Sequence, residues 1–159
     1  MKAILRILCL LVLFSCKGEP ETGLTILVNS ELDASIVLVR SSNGNALLDT
    51  VYTFSGSSSQ FKESYNLEGG SDSYPISIHR TFLNSDTIIL AFQDTIPIKH
   101  INRHWLEPLP NLDSTSLYLD NPRNIYNSDN FEKTKTGDRQ YRGVYHITQG
   151  DLDYAIEVN

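Results

Sequence analysis

The chain has 159 residues, a formal net charge of −6 and two cysteines, Cys9 and Cys16. That length supports one hydrophobic core rather than two, and the acidic balance argues against nucleic acid or an anionic lipid surface as a partner. Both cysteines fall near the N-terminus, which excludes disulfide staples, thiolate zinc sites and a cysteine nucleophile from the remainder.

Lys2 and Arg6 form a short basic start, followed by the apolar run Ile7, Leu8, Cys9, Leu10, Leu11, Val12, Leu13 and Phe14. A spanning helix needs about 20 apolar residues, and this run gives way at Ser15 to the polar stretch Lys17 to Thr22, so residues 1–15 read as a secretory signal. Leu13, Phe14, Ser15 and Cys16 resemble the lipobox of bacterial lipoproteins, in which an aliphatic and a small residue precede an obligatory cysteine. Phe14 departs from the usual residue at its position. The resemblance implies cleavage before Cys16, lipid on its thiol and an acyl chain on the new amino group. Two or three chains anchor stably where one is marginal. Lys2 and Arg6 would leave with the signal, taking the net charge from −6 to −8. Residues 16–22, with Glu19, Pro20 and Glu21, suit a tether, and residues 23–159 a single domain.

Leu24 to Val28 and Ile36 to Arg40 are compact apolar runs that read as buried strands, the first central in its sheet. Asn43-Gly44 offers the positive φ of a tight hairpin turn before Ala46 to Tyr52. Phe61, Glu63, Tyr65 and Leu67 alternate with Lys62, Ser64 and Asn66, one half-buried face with Glu63 as a blemish. After Gly69-Gly70, the residues Tyr74, Ile76 and Ile78 suggest a strand whose start Pro75 confines to an edge. Thr87 to Phe92 and Ile96 to Ile101 read as an antiparallel pair. From Arg103 to Asn130 the pattern dissolves into loop with one short strand near Leu117. Arg139 to Thr148 regains strand character, and Thr148 with Asp151 three residues on has the form of a capping box opening one short helical turn. No internal repeat is visible. Many short strands separated by turns predict an all-β antiparallel sandwich, immunoglobulin-like or similar, with a small open barrel as the alternative.

Three stretches resemble a family of small Bacteroidetes lipoproteins of unknown function, single β-rich domains behind a lipobox: Leu24 to Asn29; Ser85 to Asp94 with Ile98-Lys99-His100; and Arg123 to Tyr126 followed by Tyr145 to Asp151. The resemblance implies an outer-membrane lipoprotein held by lipid on Cys16. Glu19 and Glu21, separated from Cys16 by Lys17 and Gly18, are similar to the acidic export signal of such bacteria, so the cell surface is slightly favoured over the periplasmic face. It supplies no catalytic residues.

His100 and His104 are four apart, a spacing that on a helix would bring two imidazoles to one metal, with His79 and His146 elsewhere. On a strand the pair would not face together, and both read as solvent-facing. Asn127 to Asn130, Asp113 to Ser116 and Asp120-Asn121 carry oxygens that could hold calcium, yet lack the spacing of a calcium loop, and Asn, Asp and Ser equally serve turns. No serine elbow, phosphate loop or distinctive carboxylate pair stands out. Trp105, Tyr118 and Tyr126 in the irregular region could stack on a sugar or anchor a protein, or cap the core. The expectation is a non-enzymatic binding module with no cofactor, no metal and no nucleic acid, engaging an envelope protein or glycan through the loop region from Arg103 to Asn130. The alternative is a metal-dependent hydrolase using His100 and His104.

Overall fold

The computed structural model describes residues 21–42, 45–55, 59–67, 72–75, 85, 87–102 and 115–159. The expected signal, Cys16, the Asn43-Gly44 pair, the Ile76 to Ile78 segment, His79, His104 and Trp105 lie outside them.

Among the described residues nine strands form two sheets. β1 (Thr22–Ser30) sits inside a four-stranded sheet, antiparallel to β4 (Ser59–Leu67) on one side and parallel to β9 (Gln140–Ile147) on the other, with β8 (Glu132–Gly137) beyond β9. The second sheet runs in the order β3 (Asn45–Phe54), β2 (Ala34–Ser42), β5 (Thr87–Phe92), β6 (Ile96–Ile101), β7 (Ser116–Leu117). The fold is the expected all-β sandwich, but not purely antiparallel: β1–β9 and β6–β7 pair in parallel. Such pairs join strands remote in sequence, since a parallel connection needs a long crossover.

Period-two alternation sorts the side chains. Leu24, Ile26 and Val28 of β1 and Tyr141, Tyr145 and Ile147 of β9 face Ile36 and Leu38 of β2, Ile88, Leu90 and Phe92 of β5, and Ile98 of β6, all buried in one cluster. β4 alternates as expected, with Phe61, Glu63, Tyr65 and Leu67 half-buried and Gln60, Lys62, Ser64 and Asn66 exposed. β3 bulges at Val51, where Ile36 opposes Tyr52 and Val37 opposes Thr50. In the β5–β6 turn, Gln93 (φ 50°) and Asp94 (φ 58°) are both left-handed, a conformation a short polar side chain such as aspartate tolerates.

β8 was not visible in the sequence. All six of its residues are exposed, and it owes its strand form to β9. Lys133 and Lys135 on this outer strand discourage a further chain from pairing there.

Between β7 and β8 the backbone is a staircase of turns. Each of Asn121, Asn124, Asn127 and Asn130 donates its N–H to the carbonyl three residues back. The side-chain oxygens of Asn121, Asn124 and Asn127 each accept the N–H two residues on, at 2.9, 2.7 and 3.0 Å. Three successive Asx turns therefore give an irregular segment its shape. Its interior residues Ile125 and Tyr126 close the core.

The C-terminal α1 (Gln149–Val158) is longer than the single turn expected, ten residues. Asp151 Oδ2 accepts the Thr148 N–H at 2.8 Å and its hydroxyl at 2.9 Å, and Ala155 is buried in the core.

Candidate functional site

At the end of the four-stranded sheet where β1 and β9 finish and α1 begins, a cleft of about 740 Å³ is lined by Asn29, Ser30, Gln60, His146, Thr148 and Gln149 among others. The parallel β1–β9 register sets Asn29 beside His146, and the antiparallel β1–β4 register sets Asn29 beside Gln60. Gln60 Nε2 donates to Asn29 Oδ1 at 2.8 Å, which fixes one amide against the other and leaves the Asn29 NH₂ and the Gln60 carbonyl to turn outward. Ser30 shapes the rim, its Oγ accepting the Leu32 N–H at 3.0 Å and donating to the Leu32 carbonyl at 2.9 Å. Ser59 is tied in the same way to Ser55.

A second, shallower cleft of about 380 Å³ is contiguous, since His146 and Thr148 line both, and it adds Arg123, Asn130, Tyr145 and Asp151. Arg123 Nη1 donates to the Gly150 carbonyl at 2.9 Å, approaches Asp151 Oδ1 to 3.6 Å and lies over the Tyr154 ring at 5.6 Å. The Tyr145 hydroxyl donates to the Arg123 carbonyl at 3.0 Å. Burial first, and then the Asp151 carboxylate, push the Tyr145 phenol well above its ordinary range, against the opposing pull of Arg123, so it stays a neutral donor. His146, half exposed, faces Glu132 at 3.6 Å. The arrangement presents fixed amides, one imidazole and one guanidinium, the equipment for hydrogen-bonding a polar ligand.

The residues singled out from sequence fall elsewhere. Tyr126 is 1% exposed and its hydroxyl donates to the Ser85 carbonyl at 2.7 Å, so it is a core residue and not a surface for a ligand. Tyr118 is half-buried, and Trp105 lies outside the described residues. His100 corrects the solvent-facing expectation: it is 1% exposed, inward beside Ile98 by strand alternation. Its Nδ1 accepts the Ile125 N–H at 3.0 Å, and burial pushes its pKa down to about 3, so it is neutral and carries its proton on Nε2. The expected pairing of His100 with His104 on a metal therefore starts from an imidazole committed to the core. Among the described residues no three His, Cys, Asp or Glu side chains come together to hold a metal. The Asn127 Oδ1 serves a turn by accepting the Asp129 N–H, and the Asp129 carboxylate pairs with Lys133 at 3.1 Å.

Asn29, Gln60 and Arg123 escaped the sequence reading. Asn29 carried one signal, a polar side chain at an outward position of an otherwise apolar strand.

No protein-family model, curated protein or solved structure matches this chain.

Proposed function

We propose that this chain is an outer-membrane lipoprotein, acylated on Cys16, whose β-sandwich is a non-enzymatic module binding a glycan of the envelope in the cleft at the end of β1 and β9. The lipobox-like Leu13 to Cys16 supports the anchor, and the short polar stretch before Thr22 supports a fold held close to it. The observation that carries the binding reading is the Gln60–Asn29 pair, preset at 2.8 Å beside His146 and Gln149 in a cleft of about 740 Å³. An amide both donates and accepts, as a sugar hydroxyl does, and pre-orientation lowers the entropy cost of binding. The hydroxyls of Ser30 and Ser59 on the same rim are engaged with backbone rather than with a base.

Thermal unfolding of the mature protein against a panel of envelope glycans tests this. A ligand at about 100 times its Kd adds about 2.7 kcal/mol, visible as a shift of several degrees. The shift should vanish in Asn29→Ala/Gln60→Ala while the unliganded Tm stays within a degree or two. A shift that survives this double variant moves the site elsewhere, and no shift with any glycan removes the glycan reading. For the anchor, Cys16→Ala should abolish acylation, and an unchanged acyl mass in the membrane fraction would refute it.

A further inference from the structure

The end of β1 that continues from the tether and the end that lines the cleft are the two ends of one strand. β1 begins at Thr22, opposite Leu67, and the Gly23 N–H donates to the Arg139 carbonyl in the β8–β9 turn at 2.9 Å. Residues 17–21 separate Cys16 from Thr22, and at about 3.5 Å per residue this chain reaches at most about 20 Å. The Asp138-Arg139 turn is therefore confined near the headgroups. Ser30, at the far end of β1, opposes Ile147 and Ser59 on the cleft wall. Eight residues of strand at about 3.3 Å each place it about 26 Å further along.

Charge acts in the same direction. Around the turn, Lys135, Arg139 and Arg142 stand with Glu21, Asp72 and Asp138, and Arg139 pairs with Asp72 at 3.5 Å. Among the described residues that end is balanced and the excess negative charge resides elsewhere, on a chain that carries −8 in all beyond the signal. Phosphate headgroups repel the rest of the domain and tolerate this end, over a range of about 8 Å at physiological salt.

We infer that the domain stands with its β8–β9 turn against a phospholipid headgroup layer, Lys135 and Arg142 touching phosphates, and holds its cleft outward. This rests on the acylation of Cys16. The mature protein would have no other thiol, so Asp138→Cys and Gln149→Cys each give one labelling site, at the turn and at the cleft. Energy transfer from each label to a headgroup dye is measured for the lipidated full chain in phosphatidylglycerol-containing vesicles, with acyl mass and flotation read on the same sample. Strong transfer from position 138, weak transfer from 149, and loss of the difference on adding Lys135→Glu/Arg142→Glu are expected. Equal or reversed transfer in a chain that floats overturns the orientation alone, as does a difference indifferent to the charge reversal. A chain without acyl mass that does not float overturns the anchor, and the orientation with it.

Discussion

The imidazole of His100 and the backbone of Ile125 meet at 3.0 Å in the core, at 1% and 0% exposure, Nδ1 accepting the peptide N–H. The bond ties β6 to the turn staircase. It exists only for a neutral ring, since a protonated Nδ1 has no lone pair to offer.

Acid should therefore loosen the fold through His100. Burial lowers its pKa from 6.5 to about 3, so the folded state binds a proton later than the unfolded chain. The stability this reflects is complete above pH 6.5 and is lost as pH falls towards 3, at up to about 1.4 kcal/mol per unit. His100→Gln keeps a side-chain acceptor and cannot titrate. Urea midpoints between pH 7 and 4.5 should fall more steeply for the parent than for this variant, whatever fixed cost the variant carries. Parallel slopes would show that the ring is not the source.

Asn124 is the more heavily used residue. Its Nδ2 donates to the Ile101 and Leu117 carbonyls at 2.9 and 2.8 Å while its Oδ1 accepts the Tyr126 N–H at 2.7 Å, all out of water. Asn124→Ala orphans three buried backbone groups, at about 1 to 3 kcal/mol each before relaxation, and should cost about 3 kcal/mol in chemical denaturation. Asn124→Asp keeps the shape but aims carboxylate oxygen at two carbonyls, so it should be worse than alanine at pH 7. An aspartate variant as stable as the parent would mean that the two carbonyls are not held by this amide.

The same residues show what the sequence disclosed and what it hid. β1, β2 and the β5–β6 pair were legible because apolar runs bounded by turn residues have few other uses. β8 was not, because an exposed edge strand has no apolar face to alternate and takes its form from a partner. His100 follows the register of Ile96 and Ile98 on one face, although its polarity points to solvent. The Asn repeat at 121, 124, 127 and 130 has a period of three, outside the periods of helix and strand, so only its turn chemistry is legible in the sequence. The cleft was out of reach, since Asn29 meets His146 only through a parallel pairing between the first and last strands.

Two glycines in the four-stranded sheet should respond differently to alanine. A Cβ at Gly143 would collide with the Tyr74 hydroxyl and lie 3.3 Å from the Phe131 ring, and Tyr74 is held edge-on to Tyr141 at 6.0 Å. Overpacking there should cost about 1 to 3 kcal/mol, part of it recovered by Tyr74→Phe in the same background. At Gly23 the three atoms nearest the new Cβ all belong to the exposed Gln140 side chain, which can swing away, so Gly23→Ala should shift Tm little. Equal losses at the two sites would refute this account of the Tyr74 contact.

Asp151 couples the last helix to the cleft. Its Oδ2 holds the Thr148 N–H and hydroxyl, its Oδ1 lies 3.6 Å from Arg123, and the side chain is 8% exposed. Asp151→Ala removes the N3 half of the capping box at the start of α1, Thr148 being the N-cap, and leaves a half-buried guanidinium with, among the described residues, the Gly150 carbonyl and the Tyr154 ring. Loss of a cap costs about 1 kcal/mol, and the fraying should spread to Gln149 on the cleft wall. Asp151→Asn retains an acceptor for the Thr148 N–H but gives up the charge beside Arg123, so it should lose less. Amide exchange across residues 149–152, faster in alanine than in asparagine and slowest in the parent, is the expected order. Uniform protection in all three would mean that core contacts such as Ala155, and not the cap, hold the start of the helix.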